Sequence, residues 1–203
     1  MRHKLLETAA RISSYLDERD ATREFAIKKS REVVRLTKKV LKFIREGDYT
    51  SARESLEATK NVVLELMSRL RSYPDLLYTG LVYNALSEYV EASIVLNIVE
   101  KKEPEGPEEL EVPPVPYLQG LGDAVGELRR LVLLAVKRKD FEEAWRLIGW
   151  MEGILEVLQQ LDYPDPLIPG VRRKADVARR LVDETLALLV DLESRQLRGL
   201  GER

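Results

Sequence analysis

The sequence predicts an all-α protein, and three observations carry that prediction. Apolar residues recur at three- and four-residue spacing along most of the chain. No run alternates with period two for long enough to make a strand. The Gly, Pro and Asp residues that interrupt the pattern fall where helices end or begin. At 203 residues, 44% apolar and 33% charged, the chain suits one domain with a sizeable core.

Seven helical segments are expected. The first runs from about Lys4 to Glu18, with Leu5, Leu6, Ala9, Ile12 and Leu16 at helical spacing. Asp20 or Thr22 then caps a long second helix to Glu46. Gly47 ends it, and Asp48 opens a third helix to about Ser72. Pro74 breaks the chain before a fourth helix, about Leu76 to Lys101. Residues 102–116 hold five prolines and five glutamates and read as an extended acidic connector. A fifth helix spans about Tyr117 to Arg138. Asp140 and Glu143 have capping-box spacing and open a sixth, to about Leu161. The YPDPLIPG stretch precedes a seventh helix, about Val171 to Leu197. One helical domain over residues 1–203 is expected, because neither half would bury its amphipathic faces well alone.

Composition excludes several chemistries. There is no cysteine and one histidine, His3. Disulfides, thiolate zinc sites, Ser-His-Asp triads and histidine-ligated metals are therefore nearly excluded. A metal would have to be held by oxygen, which points to magnesium, manganese or calcium. Residues 1–20 carry charges throughout, so no signal-peptide core appears, and no uncharged stretch approaches the roughly 20 residues of a membrane span. A cytoplasmic protein is the expectation. With 33 basic and 35 acidic residues, any nucleic-acid-binding surface must come from segregation of charge.

Two acidic pairs and a basic stripe are the candidate features. Glu88 and Glu91, at i,i+3 on the fourth helix, share a face within an otherwise apolar stretch. Asp123 and Glu127, at i,i+4 on the fifth helix, share another face, among Gly120, Gly122 and Gly126. Each glycine costs a helix roughly 1 kcal/mol relative to alanine, so close helix packing or close ligand approach is expected there. If the pairs converge, four carboxylates could surround one or two divalent cations and support hydrolysis of phosphate esters or anhydrides. Salt bridges and a solvated stripe are the plainer readings. On the second helix Lys28, Arg31, Arg35, Lys38, Lys42 and Arg45 form a cationic seam of roughly 25 Å, at 1.5 Å per residue. That seam suits a phosphate backbone, or a solvated face. A second cluster, Arg172, Arg173, Lys174, Arg179 and Arg180, opposes the dipole at the start of the seventh helix and needs another reason, either salt bridges or phosphate contacts. Trp145 and Trp150, five residues apart, are expected in the core or at an interface rather than stacked on bases.

YTGLVYNALSEYVEA at 78–92, VPYLQGLGDAVGELRR at 115–130 and LIPGVRRKADVARRLVDET at 167–185 resemble the translin family. The closer likeness is to translin-associated factor X and its archaeal relatives. TREFAIKKSREVVRLTKKVLKFIREGD at 22–48 fits the family's second helix, and the likeness covers roughly 15–195 in family order. The resemblance implies a seven-helix bundle subunit that assembles into a barrel-like homo-oligomer, an octamer, binding RNA or single-stranded DNA inside. It also implies a magnesium-dependent endoribonuclease, with manganese as a substitute, whose metal-binding and catalytic acids map onto Glu88, Glu91, Asp123 and Glu127. The basic stripe, with Arg172 and Arg173, would hold the nucleic-acid backbone. The alternatives are a non-catalytic RNA or single-stranded DNA binder and an all-α nucleotide pyrophosphatase. The pyrophosphatase type usually has ExxD as its second acidic pair, where this chain has D-x-x-x-E.

Overall fold

The structure, a computed structural model, describes residues 2–201. Seven helices and no strand appear among them: α1 (Arg2–Glu46), α2 (Tyr49–Leu70), α3 (Pro74–Leu77), α4 (Gly80–Val99), α5 (Pro114–Lys137), α6 (Phe141–Gln159) and α7 (Val171–Gly201). The count agrees with the expectation, but the helices are divided differently. The first two expected helices are one helix of 45 residues. No Gly or Pro falls between Arg2 and Glu46. Thr22, expected to cap a new start, instead donates to the Glu18 carbonyl at 3.0 Å and is fully buried within the turn. A helix with no breaker and a self-satisfied hydroxyl simply continues. The seventh helix of the count is α3, a single turn entered through Pro74.

The remaining boundaries follow their local chemistry. Gly47 takes φ +80, and the Asp48 amide donates back to the Phe43 carbonyl, closing the end of α1. The Asp48 and Asp140 carboxylates accept from the amides of Ser51 and Glu143, at 3.0 and 3.1 Å, and start α2 and α6.

α4 is the central helix. It packs on α1, α2 and α5, and every residue from Ala92 to Ile98 is buried. α5 lies beside it and is backed by α6 and α7. Gly120 permits the close crossing: a Cβ there would sit 2.6 Å from the Ser87 carbonyl oxygen and from the Val90 Cβ. The acidic connector is no free strap. Leu110 is fully buried and Val112 nearly so, and the Glu105 carboxylate accepts from Ser93 Oγ at 3.0 Å on α4. The Tyr117 hydroxyl, in the first turn of α5, donates to the Glu105 carbonyl at 3.2 Å. Trp145 and Trp150 pack against the core, and Trp145 Nε1 donates to Glu193 at 3.1 Å. No helix among the described residues is long and apolar enough to cross a membrane.

Candidate active site

Where α4 and α5 run side by side, their polar faces open into a cleft of about 650 Å³. Asn84, Glu88 and Glu91 line it from α4, at i, i+4 and i+7. Asp123, Gly126, Glu127 and Arg130 line it from α5. α1 contributes Lys38 and Arg45, and α7 contributes Lys174 and Leu181. The four carboxylates singled out by spacing therefore meet in one cleft.

That cleft carries mixed charge rather than a purely acidic one. Glu127 is buried, and Arg45 Nη1 donates to its Oε1 at 2.8 Å, with Arg130 at 3.6 Å. Asp123 is paired with Lys174, which leans across from α7. Space for that lean comes from Gly122, where a Cβ would stand 2.6 Å from the Lys174 Cβ. The physical reason is plain: carboxylates taken partly out of water require compensation, and α1 and α7 supply it.

Glu88 and Glu91 are different. Neither has an ion pair or a side-chain hydrogen bond among the described residues, and both are partly buried. Burial is the main cause pushing Glu88 above its usual carboxylate range; Lys38 opposes the shift and Asp123 adds to it. Glu91 is pushed up to about 8, first by burial and then by repulsion from Asp123, Glu88 and Glu127, with Lys174 opposing. No group of three carboxylates among the described residues is drawn together tightly enough to hold an ion unaided. A hard cation such as magnesium needs less: one or two carboxylates, with several waters kept. Two carboxylates without an ion pair among the described residues, one helical turn apart and with two more across the cleft, fit that requirement in donor chemistry.

The basic stripe divides along α1. Lys28, Arg31 and Arg35 line an open groove of about 440 Å³ with Glu24, Ile27 and Glu32. Lys38 carries the stripe into the carboxylate cleft. Lys42 is exposed, 3.8 Å from Glu46. Arg45 is committed to Glu127. On α7, Arg172 lies 3.2 Å from Asp162, and Arg173 is exposed without an ion pair among the described residues. Lys174, part of the same cluster, is the member that enters the cleft. Sequence reasoning did not single out Asn84 or Arg129 for the site, whereas the i,i+3 salt bridge from Glu127 to Arg130 was readable from spacing. Asn84 was findable, because it stands one turn before Glu88 on the same face.

An all-α fold with carboxylates from two adjacent helices beside a basic helix defines the architectural class. Its comparisons agree. The crystal structure of AfC3PO matches with a TM-score of 0.86 at 33% identity, covering 94% of this chain and 99% of that one. The structure of an AfC3PO–duplex RNA complex gives 0.85 at 31% identity, over 94% and 98%. Apo-NeC3PO gives 0.83 at 21% identity, over 91% and 96%, a likeness of fold alone. The uncharacterized protein MJ0175 of Methanocaldococcus jannaschii is 30% identical over 178 residues, 86% of this chain and 78% of that one. No family model matches the chain. The chain belongs to the translin family, as the archaeal C3PO proteins do.

Proposed function

We propose that this protein is a metal-dependent endoribonuclease that holds RNA along α1 and hydrolyses it in the α4–α5 cleft, as one subunit of a cytoplasmic homo-oligomer. One observation carries the proposal: the exposed basic stripe of α1 leads, through Lys38, into the cleft where Glu88, Glu91, Asp123 and Glu127 meet. The similarity to a protein solved with duplex RNA supports the choice of substrate.

Lys28, Arg31 and Arg35 neutralise phosphates without reading bases. Lys38 passes the backbone to the cleft mouth. Magnesium or manganese, held by Glu88 and Glu91 with Asp123, would acidify a water and offset the developing phosphoryl charge. Glu127, pinned by Arg45 and Arg130, keeps α1 and α5 in register over the site. A cleft carboxylate that the cation does not fully engage would accept the attacking water's proton.

The ion pairs of Asp123 and Glu127 favour a second reading, in which the cleft is a structural network and the protein binds RNA without cutting it. End-labelled RNA incubated with magnesium or with chelator separates the two. Cleavage should require the cation and fall at least about 100-fold in Glu91→Gln, because even outer partners of metal ligands cost about 10–100-fold when lost. RNA that is bound but uncut at every magnesium concentration would leave only the second reading.

A further inference from the structure

We infer that the first five turns of α1, residues 2–20, form an arm that pairs antiparallel with the same arm of a second copy of this chain. No residue from Arg2 to Ala21 is buried. The arm extends roughly 28 Å at 1.5 Å per residue. It is tied to the body at its base, where Arg19 pairs with Asp75 and the Tyr73 hydroxyl donates to Glu18.

Five large apolar side chains stand on it in the open: Leu5 65% exposed, Leu6 61%, Ile12 53%, Tyr15 56% and Leu16 54%. A contiguous exposed patch of this kind marks an interface. Leu5, Ala9, Ile12 and Leu16 follow each other at spacings of four, three and four, the seam of a two-stranded coil.

Two features name the occupant. The seam reads the same in both directions. A two-fold contact requires that residue i meet j while j meets i. Setting Leu5 against Leu16 and Ala9 against Ile12 places the axis between Ala10 and Arg11 and gives each seam residue an apolar partner. Charge fixes the direction. Residues 2–11 carry Arg2, Lys4 and Arg11 against Glu7, and residues 12–20 carry Asp17, Glu18 and Asp20 against Arg19. Antiparallel arms lay the basic half along the acidic half; parallel arms lay like along like. A membrane surface is a poorer occupant, since interfacial helices are basic along their polar face.

The pairing deepens the assembly reading above and rests on it, but it is independent of the chemistry in the cleft. The chain has no native cysteine, so introduced thiols report the register directly. Leu5→Cys and Leu16→Cys proteins, mixed and mildly oxidised, should yield a cross-linked dimer, and either alone should yield little. Adding Ile12→Asp to both should abolish the cross-link while the helical circular dichroism signal stays, because Ile12 is 53% exposed in a single copy. Efficient cross-linking of Leu5→Cys alone would mean parallel arms and overturn the proposal. No cross-link in the mixture from a wild-type protein that still assembles would overturn the arm contact and leave assembly standing. A wild-type particle of 23.3 kDa in light scattering would overturn both.

Discussion

The two acidic pairs look alike in sequence, yet the fold treats them in opposite ways. On α5, Asp123 and Glu127 are compensated by Lys174, Arg45 and Arg130 from three helices. On α4, Glu88 and Glu91 have no ionic partner among the described residues, and Glu91 is pushed up to about 8. The α5 pair therefore organises the cleft, and the α4 pair is the half that no basic side chain pairs with directly among the described residues, Lys38 and Lys174 acting on it only from a distance. A divalent cation would bring to α4 what arginine and lysine bring to α5.

Both pairs face one cleft only because α4 and α5 cross closely at Gly120, so the largest effect is expected there. Gly120→Ala sets a Cβ 2.6 Å from a backbone oxygen, which has no rotamer to yield. Overpacking of this kind costs about 1–3 kcal/mol, beyond the roughly 1 kcal/mol of helix propensity alanine gains. Gly126→Ala, whose nearest neighbour is Leu181 Cδ1 at 3.9 Å, should be neutral or stabilising. Urea unfolding midpoints at constant slope give the comparison. Equal destabilisation by both would mean that Gly120 does not set the crossing.

The pairs themselves should respond with opposite sign. Glu127→Gln leaves Arg45 and Arg130 without their carboxylate. Those guanidiniums are 33% and 66% exposed, so the loss should be about 1–2 kcal/mol, below the 3–5 kcal/mol of a fully buried pair. Glu91→Gln breaks no ion pair and removes a poorly solvated charge. Above pH 8, without divalent cation, it should unfold at the same or higher urea. If Glu91→Gln instead destabilises as much as Glu127→Gln, the α4 pair has a partner after all, and the contrast between the pairs fails.

The sequence made the pairs and the stripe visible because helical spacing alone puts residues on a face. It did not show which pair is compensated, because Arg45 is 82 positions from Glu127 and Lys174 is 51 from Asp123. Gly120 and Gly122 were readable as sites of close approach. That one admits α4 and the other the Lys174 stem needed the tertiary structure. The continuity of α1 was missed where Asp20 and Thr22 offer capping side chains. A cap forms only if the preceding turn stops, and nothing before Gly47 stops it. That the connector is anchored in the core was not legible for the converse reason: its prolines and glutamates surround Leu110 and Val112, the apolar residues that bury it.

Titration sharpens the contrast further. The Glu91 carboxyl is raised from an ordinary 4.5 to about 8, so between these values the folded protein holds a proton that the unfolded chain has released. Stability contributed by this group is therefore present below pH 4.5 and is lost as pH rises through about 8. The stability gap between Glu91→Gln and wild type should widen over that window in chelator. Manganese should narrow it, and its own affinity should rise with pH up to about 8, because binding must displace the proton. Manganese affinity that is flat from pH 6 to pH 8 would separate Glu91 from the cation site.

The smallest effect tests the two ends of the basic stripe. Lys28 and Arg31 lie in the open groove, whereas Arg45 is held by Glu127. Exposed residues that contact phosphate release counterions when RNA binds, so Lys28→Ala and Arg31→Ala should each lower the slope of log affinity against log salt by about 1. The loss should be equal across RNA sequences, since phosphate contacts carry no base information. Arg45→Ala should leave that slope nearly unchanged while lowering stability, because its charge is already committed to Glu127. Filter binding at several salt concentrations, with magnesium withheld to prevent cleavage, measures all three variants. If Arg45→Ala changes the slope as much as Lys28→Ala, RNA displaces Glu127 from Arg45 on binding, and the stripe acts as one seam after all. If none of the three changes it, the backbone is held elsewhere, with exposed Arg173 at the start of α7 the next position to test.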